Sequence, residues 1–163
     1  MEKIADGPFA PSAEGLVYLE TSRTQYPEQP AQMSLQQTIT IRVRYPEVDG
    51  MGYLHHSRYL QYFEMGRVEL LRQIGVSYAD LEKTGVFFVV VKAALNYRAP
   101  ARYDDELQLT TKLVKQTHVR YDHAYDVRRG DTLICEGTTT IACVDREGQL
   151  IGIPDRLTSV KVD

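Results

Sequence analysis

The sequence lacks the features of several protein classes. Its 163 residues include no Trp and no apolar run of the about 18 residues that a transmembrane helix needs. The segment Met1–Pro8 also lacks the apolar stretch of a secretion signal. We therefore expect a cytoplasmic protein with no membrane insertion. Lys and Arg total 19 against 22 Asp and Glu, a formal charge of -3. This balance argues against a nucleic-acid partner, because phosphate binding depends on an excess of basic side chains.

Cysteine and histidine patterns give no support for a disulfide or a metal site. Cys135 and Cys143 share one strand-like stretch, and at about 3.3 Å per residue they would lie roughly 26 Å apart. A disulfide needs Cα atoms within about 7 Å. No spacing resembles a zinc site, and no Gly-rich phosphate loop or Gly-x-Ser-x-Gly elbow occurs. We expect no metal and no cofactor.

The chain divides into two parts by composition. Residues 1–35 hold four of the seven prolines, which break regular elements. We interpret this segment as an N-terminal extension, either a flexible tail or an arm that docks on the domain or on a partner subunit. Residues 36–163 have the alternating and periodic apolar patterns of one folded domain.

The domain pattern predicts an α+β fold with one long helix. Residues 57–74 place Leu60, Phe63, Arg67, Leu71 and Ile74 on one stripe. Gly66 within this helix disfavours it by about 1 kcal/mol relative to Ala, a cost that a close backbone approach would explain. A short helix is predicted at 77–83, and strands at 38–44, 86–97, 106–114, 119–128 and 132–144. One helix followed by antiparallel strands indicates a sheet that curls around the helix.

The junction between the first strand and the long helix carries the densest set of reactive groups. Asp49 lies on a loop with Gly50 and Gly52, shortly before the predicted helix start near Ser57. The first turn of a helix offers unpaired N–H groups that can hold an oxyanion, and a nearby carboxylate can attack a carbonyl or deprotonate water. Alternatively, Asp49 only caps a turn in which the two glycines supply positive φ angles.

The same residues resemble a known signature. The segment from Asp49 to Arg67 resembles that of the 4-hydroxybenzoyl-CoA-thioesterase-like hotdog-fold family, on the positions Asp49, Gly52, His56, Tyr59, Glu64 and Arg67. Asn96–Ala101 and Ile153–Leu157 are similar to later segments of that family. The resemblance covers residues 38–157 and does not extend to the N-terminal extension.

The resemblance implies a hotdog fold, an antiparallel sheet wrapped around one long central helix, in an acyl-CoA thioesterase. It implies a homo-oligomer, a dimer or tetramer, with sites between subunits. Asp49 would be the catalytic nucleophile or general base, and the backbone N–H of His56 would polarise the thioester carbonyl. Gly52, Tyr59 and Glu64 would contribute to substrate binding. The helical spacing, and not the resemblance, also predicts that Arg67 on the apolar stripe pairs with Glu64. By location, the candidates for binding coenzyme A phosphates are Arg98, Lys115 and Arg120.

Two other functions remain open. A hotdog dehydratase acting on a hydroxyacyl thioester would use His56 as base, but members with that activity carry a Pro- and Gly-rich stretch after the His, and here Ser57–Leu60 follows. A non-catalytic acyl-thioester-binding subunit would bind without turnover. The acyl group is undetermined, aromatic or fatty, and its carrier could be coenzyme A or acyl-carrier protein.

Overall fold

The computed structural model describes residues 35–158, so the predicted extension lies outside the described residues except for Leu35. The strands are β1 (Gln36–Arg42), β2 (Phe87–Tyr97), β3 (Glu106–Gln116), β4 (Arg120–Arg129) and β5 (Thr132–Val144). The helices are α1 (Arg58–Gln73), α2 (Tyr78–Lys83) and α3 (Asp155–Thr158), and a 3-10 turn spans Tyr45–Glu47. Among the helices in this range, none has the length and apolar character required to cross a membrane.

The five strands form one antiparallel sheet in the order β1-β3-β4-β5-β2. β1 and β2 are therefore its two edges. β3 and β4 alternate buried residues with exposed or half-buried ones, as a strand with one face on a core should. β2 differs, because most of its residues are exposed, including Val89, Val90 and Val91. Cys135 and Cys143 both lie in β5 as free, buried thiols.

Helix α1 packs one face against the sheet, and this face is offset from the predicted stripe, because Leu60 is 43% exposed. Its buried residues are Tyr59, Tyr62, Phe63, Gly66 and Leu70, and the ring of Phe63 stacks on that of Tyr125 with centroids 4.1 Å apart. A Cβ on Gly66 would stand 2.2 Å from Thr111 Oγ1 and 2.9 Å from Leu109 Cδ2. The expected close approach at Gly66 is confirmed, because only a residue without Cβ lets the helix lie this close to β3.

One predicted contact of this helix is wrong. Arg67 does not pair with Glu64. Its Nη1 donates instead to the Tyr125 hydroxyl at 3.1 Å, and that hydroxyl shares a 2.7 Å hydrogen bond with Thr139 Oγ1. Arg67 points towards the sheet, whereas Glu64 is exposed. The guanidinium therefore contacts the buried Tyr125 hydroxyl and not the Glu64 carboxylate. The result ties α1 to β4 and β5.

Candidate active site

The loop that carries Asp49 is a small hairpin closed by a bridge between Val48 and Leu54. The Asp49 N–H donates to the Tyr53 carbonyl at 2.8 Å, and the Gly52 N–H donates to the Asp49 carbonyl at 2.9 Å. Gly52 has φ +77°, a conformation that side-chain-bearing residues rarely adopt. The φ angle of Gly50 is not positive. The loop therefore requires glycine at position 52 for its turn, and position 50 has no such requirement.

The carboxylate of Asp49 both closes this loop and presents a free oxygen. Its Oδ1 accepts hydrogen bonds from the backbone N–H groups of Met51 at 2.8 Å and Tyr53 at 3.1 Å. Within residues 35–158, no hydrogen bond to Oδ2 is found, and the residue is half-buried. Asp49 can therefore stabilise the turn and also take part in a reaction, because Oδ1 fixes the side chain while Oδ2 has no hydrogen-bond partner among the described residues.

The helix start lies directly after this loop. Ser57 occupies the N-cap position but makes no capping hydrogen bond, because its hydroxyl bonds to His55 Nδ1 at 2.8 Å. The carbonyl of His56 accepts from the Tyr97 hydroxyl at 3.2 Å, whereas the described residues provide no acceptor for the His56 N–H. The imidazole of His56 is exposed. His56 lies two residues before α1, so its N–H is not one of the first-turn groups that were expected. An unpaired backbone N–H beside the positive end of a helix is nevertheless suited to stabilising an oxyanion.

Two further predicted site residues take different places along α1. Tyr59 is buried beside this start, with its ring 5.2 Å from that of Tyr97, and burial raises the pKa of its hydroxyl. Glu64 is exposed and lies six residues after Arg58, the first residue of α1, which is about 9 Å along the helix axis at 1.5 Å per residue. Asp49, Gly52, His56 and Tyr59 thus all lie in the hairpin loop and the helix start that follows it, whereas Glu64 lies further along α1.

Glu47 is a buried carboxylate that the sequence analysis missed. It is only 2% exposed. Its oxygens accept from the Arg44 backbone N–H at 2.7 Å, from Arg44 Nε at 3.0 Å and from the Tyr62 hydroxyl at 2.8 Å. Its carbonyl accepts from the His55 N–H at 2.9 Å. Through these bonds Glu47 connects the chain before Asp49 (Arg44), the chain after it (His55) and helix α1 (Tyr62). The signal in the sequence was an Arg and a Glu three apart around Pro46.

The charge state of Glu47 follows from these contacts. Burial alone would raise its pKa, but the hydrogen bonds and positive charge of Arg44, together with the Tyr62 hydroxyl, outweigh burial and hold the pKa below its ordinary value. Burial, and then the hydrogen bond to the same carboxylate, raises the pKa of Tyr62. Glu47 is therefore an anion at neutral pH and serves as an anchor for the loop.

The three basic residues proposed for coenzyme A are dispersed. Arg98 follows the β2 residue that bonds His56, and its guanidinium forms an ion pair with Glu136. Lys115 and Arg120 are exposed at the β3–β4 hairpin, about 30 Å along β3 from its start near the Asp49 loop. Within one chain only Arg98 lies near the candidate site. In the described part of the chain, no three His, Cys, Asp or Glu side chains are grouped to hold a metal.

Comparison with known proteins places these residues in a family context. The family model described as the thioesterase-like superfamily matches residues 43–160. The acyl-CoA thioester hydrolase YbgC of Escherichia coli is 34% identical over 107 residues, which are 64% of this chain and 79% of that protein.

Solved structures agree with this match. The hypothetical protein TT1821 from Thermus thermophilus is 34% identical, with TM-score 0.73, covering 78% of this chain and 99% of that one. A DHNA-CoA thioesterase from Staphylococcus aureus is 28% identical, with TM-score 0.69, covering 76% and 84%. These likenesses, with one long helix on a five-stranded antiparallel sheet, confirm the predicted hotdog fold.

Proposed function

The chain belongs to the thioesterase-like superfamily, and on this premise we propose that it is an acyl-CoA thioesterase with Asp49 as its catalytic carboxylate. One observation carries the assignment of the residues. The free oxygen of Asp49 and the unpaired N–H of His56 lie at the two ends of one short segment, between a glycine turn and a helix start. Ester-type hydrolysis needs this pair of groups, a base or nucleophile and an oxyanion donor.

The reaction proceeds through a tetrahedral intermediate at the thioester carbon. Asp49 Oδ2 takes a proton from water as the water oxygen bonds to the carbonyl carbon, and the carbonyl oxygen becomes an oxyanion that accepts from the His56 N–H. Collapse of the intermediate breaks the carbon–sulfur bond, and the departing thiolate takes the proton back from Asp49. Direct attack by the carboxylate would replace the first step with a mixed anhydride, which water then hydrolyses. The products are a carboxylic acid and free thiol in both cases.

The remaining predicted site residues supply binding surfaces. Gly52 lets the backbone approach the substrate, and Tyr59 with Tyr97 forms an aromatic wall beneath the helix start. Glu64 would contribute to a site on a second subunit, since it is exposed and lies about 9 Å along α1 from the first helical residue, Arg58. The exposed valines of edge strand β2, 41% to 53% exposed, support a homo-oligomer that covers this edge, because exposed apolar edges otherwise invite aggregation.

A product assay tests this function against its alternatives. The purified full chain is incubated with benzoyl-CoA, octanoyl-CoA and 3-hydroxyoctanoyl-CoA, and free thiol and alkene formation are followed separately. We expect thiol release from at least one substrate and no alkene. Alkene formation without thiol would identify a dehydratase with His56 as base. Binding of all three substrates without any product would indicate a binding subunit, and both results would refute the proposal.

A further inference from the structure

Ser57 and His55 form a hydrogen-bonded pair at the start of α1 that the mechanism above does not use. Ser57 Oγ lies 2.8 Å from His55 Nδ1, and the Ser57 backbone N–H donates to the same nitrogen at 3.3 Å. Because Nδ1 accepts from this N–H, it is the unprotonated nitrogen of a neutral imidazole. The Ser57 hydroxyl is therefore the donor in the first bond, and its proton already points at a base.

A second serine at a helix start makes the ordinary contact instead. Ser77 is the N-cap of α2, has extended backbone angles, and its hydroxyl accepts from the Asp80 N–H at 3.4 Å. This is the usual capping bond of a serine. Ser57 has helical backbone angles and makes no capping bond, so its hydroxyl is committed to His55. Both serines are exposed, and Ser77 is therefore a matched control for Ser57.

His55 is held in place by its backbone and by its ring. Its N–H donates to the Glu47 carbonyl at 2.9 Å, and its carbonyl accepts from the Arg58 N–H at 2.9 Å. Its ring packs on that of His56 with centroids 4.1 Å apart, and the residue is half-buried. A nucleophile within hydrogen-bond distance of a base that its neighbours orient is the arrangement used in covalent catalysis.

We propose that Ser57 is a second nucleophile of this site, with His55 as its general base, and that it accepts the acyl group of a thioester. Only the class of substrate rests on the proposed function. Ser57 follows directly after His56, whose N–H is assigned to the oxyanion. The route through Ser57 therefore uses the same oxyanion donor and does not require the Asp49 carboxylate.

The route has two steps. Ser57 Oγ bonds to the thioester carbon as its proton passes to His55 Nδ1, and the oxyanion accepts from the His56 N–H. The carbon–sulfur bond then breaks, the departing thiolate takes the proton from Nδ1, and an ester remains on Ser57. In the second step water adds to this ester and gives a proton to Nδ1. The ester bond breaks, Oγ takes that proton back, and the carboxylic acid leaves.

Phenylmethanesulfonyl fluoride tests the nucleophile without any thioester. An activated serine oxygen displaces fluoride from its sulfur, whereas an ordinary serine does not react. We expect peptide mass spectrometry of the treated full chain to place the sulfonyl group on Ser57. Ser57→Ala should abolish this labelling, and Ser77→Ala should leave its rate unchanged. His55→Phe, which keeps a ring beside His56, should slow the labelling at least about 100-fold.

Acyl transfer is tested in the Asp49→Asn variant, in which the route through the carboxylate is removed. After incubation with an acyl-CoA that wild type hydrolyses, intact mass spectrometry should show one acyl group on Asp49→Asn and none once Ser57→Ala is added. Absence of that acyl group would refute the inference, as would missing sulfonylation at Ser57 or equal labelling rates for wild type and His55→Phe. Sulfonylation that depends on His55, in a protein that releases no thiol from any acyl-CoA, would refute only the proposed function.

Discussion

Replacing Tyr62 with Phe removes one hydrogen-bond donor from the buried Glu47 carboxylate. The phenol of Tyr62 donates to Oε2 at 2.8 Å, and both residues are 2% exposed, so water cannot easily take the place of the hydroxyl. A hydrogen bond to a charged acceptor contributes about 1.5–3 kcal/mol. Because Arg44 still supplies its own donors, we expect Tyr62→Phe to lower the free energy of unfolding by about 2 kcal/mol at pH 7.

The pH dependence of this loss identifies its cause. The pKa of Glu47 is lower in the folded protein than its ordinary value of 4.5. Its carboxylate contribution is therefore complete above pH 4.5 and is lost as pH falls through the lowered folded-state pKa. The difference between wild type and Tyr62→Phe should be constant from pH 8 to pH 5 and shrink at lower pH, where the acceptor becomes neutral.

Urea unfolding at a series of pH values measures both effects, with Tyr121→Phe as the matched control. Tyr121 is also buried, but its hydroxyl donates to the neutral Leu157 carbonyl at 3.1 Å, so about 1 kcal/mol should be lost with no change near the pKa of a carboxylate. Equal losses and equal pH profiles for the two variants would refute the assignment of Glu47 as a charged anchor.

Three further predictions concern the core. Gly66→Ala should destabilise the protein by about 1 kcal/mol or more in urea unfolding, because the clash with Thr111 Oγ1 exceeds the helix-propensity gain; a stabilised variant would contradict the packing. Burial, and then the charge of Arg67, lowers the pKa of His123 to about 3, so folding keeps this imidazole neutral. Lowering the pH from 6.5 to 5 should therefore reduce the free energy of unfolding of wild type by about 1.5 kcal/mol more than that of His123→Phe. Parallel plots of unfolding free energy against pH for the two proteins would contradict this. Burial raises the pKa of Cys135 to about 12 and also raises that of Cys143. A thiol reagent at pH 8 should therefore label neither cysteine until urea unfolds the protein. Rapid labelling of the folded protein would contradict the burial of these thiols.

Elements with a strong local signal could be predicted from the sequence. The periodic stripe of α1 and the alternation of the strands predicted every described helix and strand of the domain except the short α3 and the 3-10 turn. The low helix propensity of Gly66 predicted a close approach of the helix backbone to another element, and the structure shows that this element is strand β3. The thioesterase-like family was also predicted from the Asp49 to Arg67 segment, and the match to residues 43–160 confirms it.

Contacts between distant segments could not be predicted. The Tyr62–Glu47 and Tyr97–His56 hydrogen bonds join residues 15 and 41 positions apart, and the partners are decided by how α1 lies on the sheet. Arg67 shows the limit most clearly: Glu64, three residues earlier, is the carboxylate at ion-pair spacing on a helix, yet packing turns the guanidinium towards Tyr125. The roles of Asp49, Gly52, His56, Tyr59, Glu64, Arg98, Lys115 and Arg120 stay predictions.

The kinetics of Asp49→Asn test the central claim most directly. Asparagine keeps an oxygen that can accept from the Met51 and Tyr53 N–H groups, so the loop should retain its geometry and only the charge is lost. We predict that kcat for acyl-CoA hydrolysis falls at least 100-fold, about 2.7 kcal/mol of transition-state stabilisation, while coenzyme A binding and the free energy of unfolding change little. An Asp49→Asn variant with wild-type kcat would contradict the account.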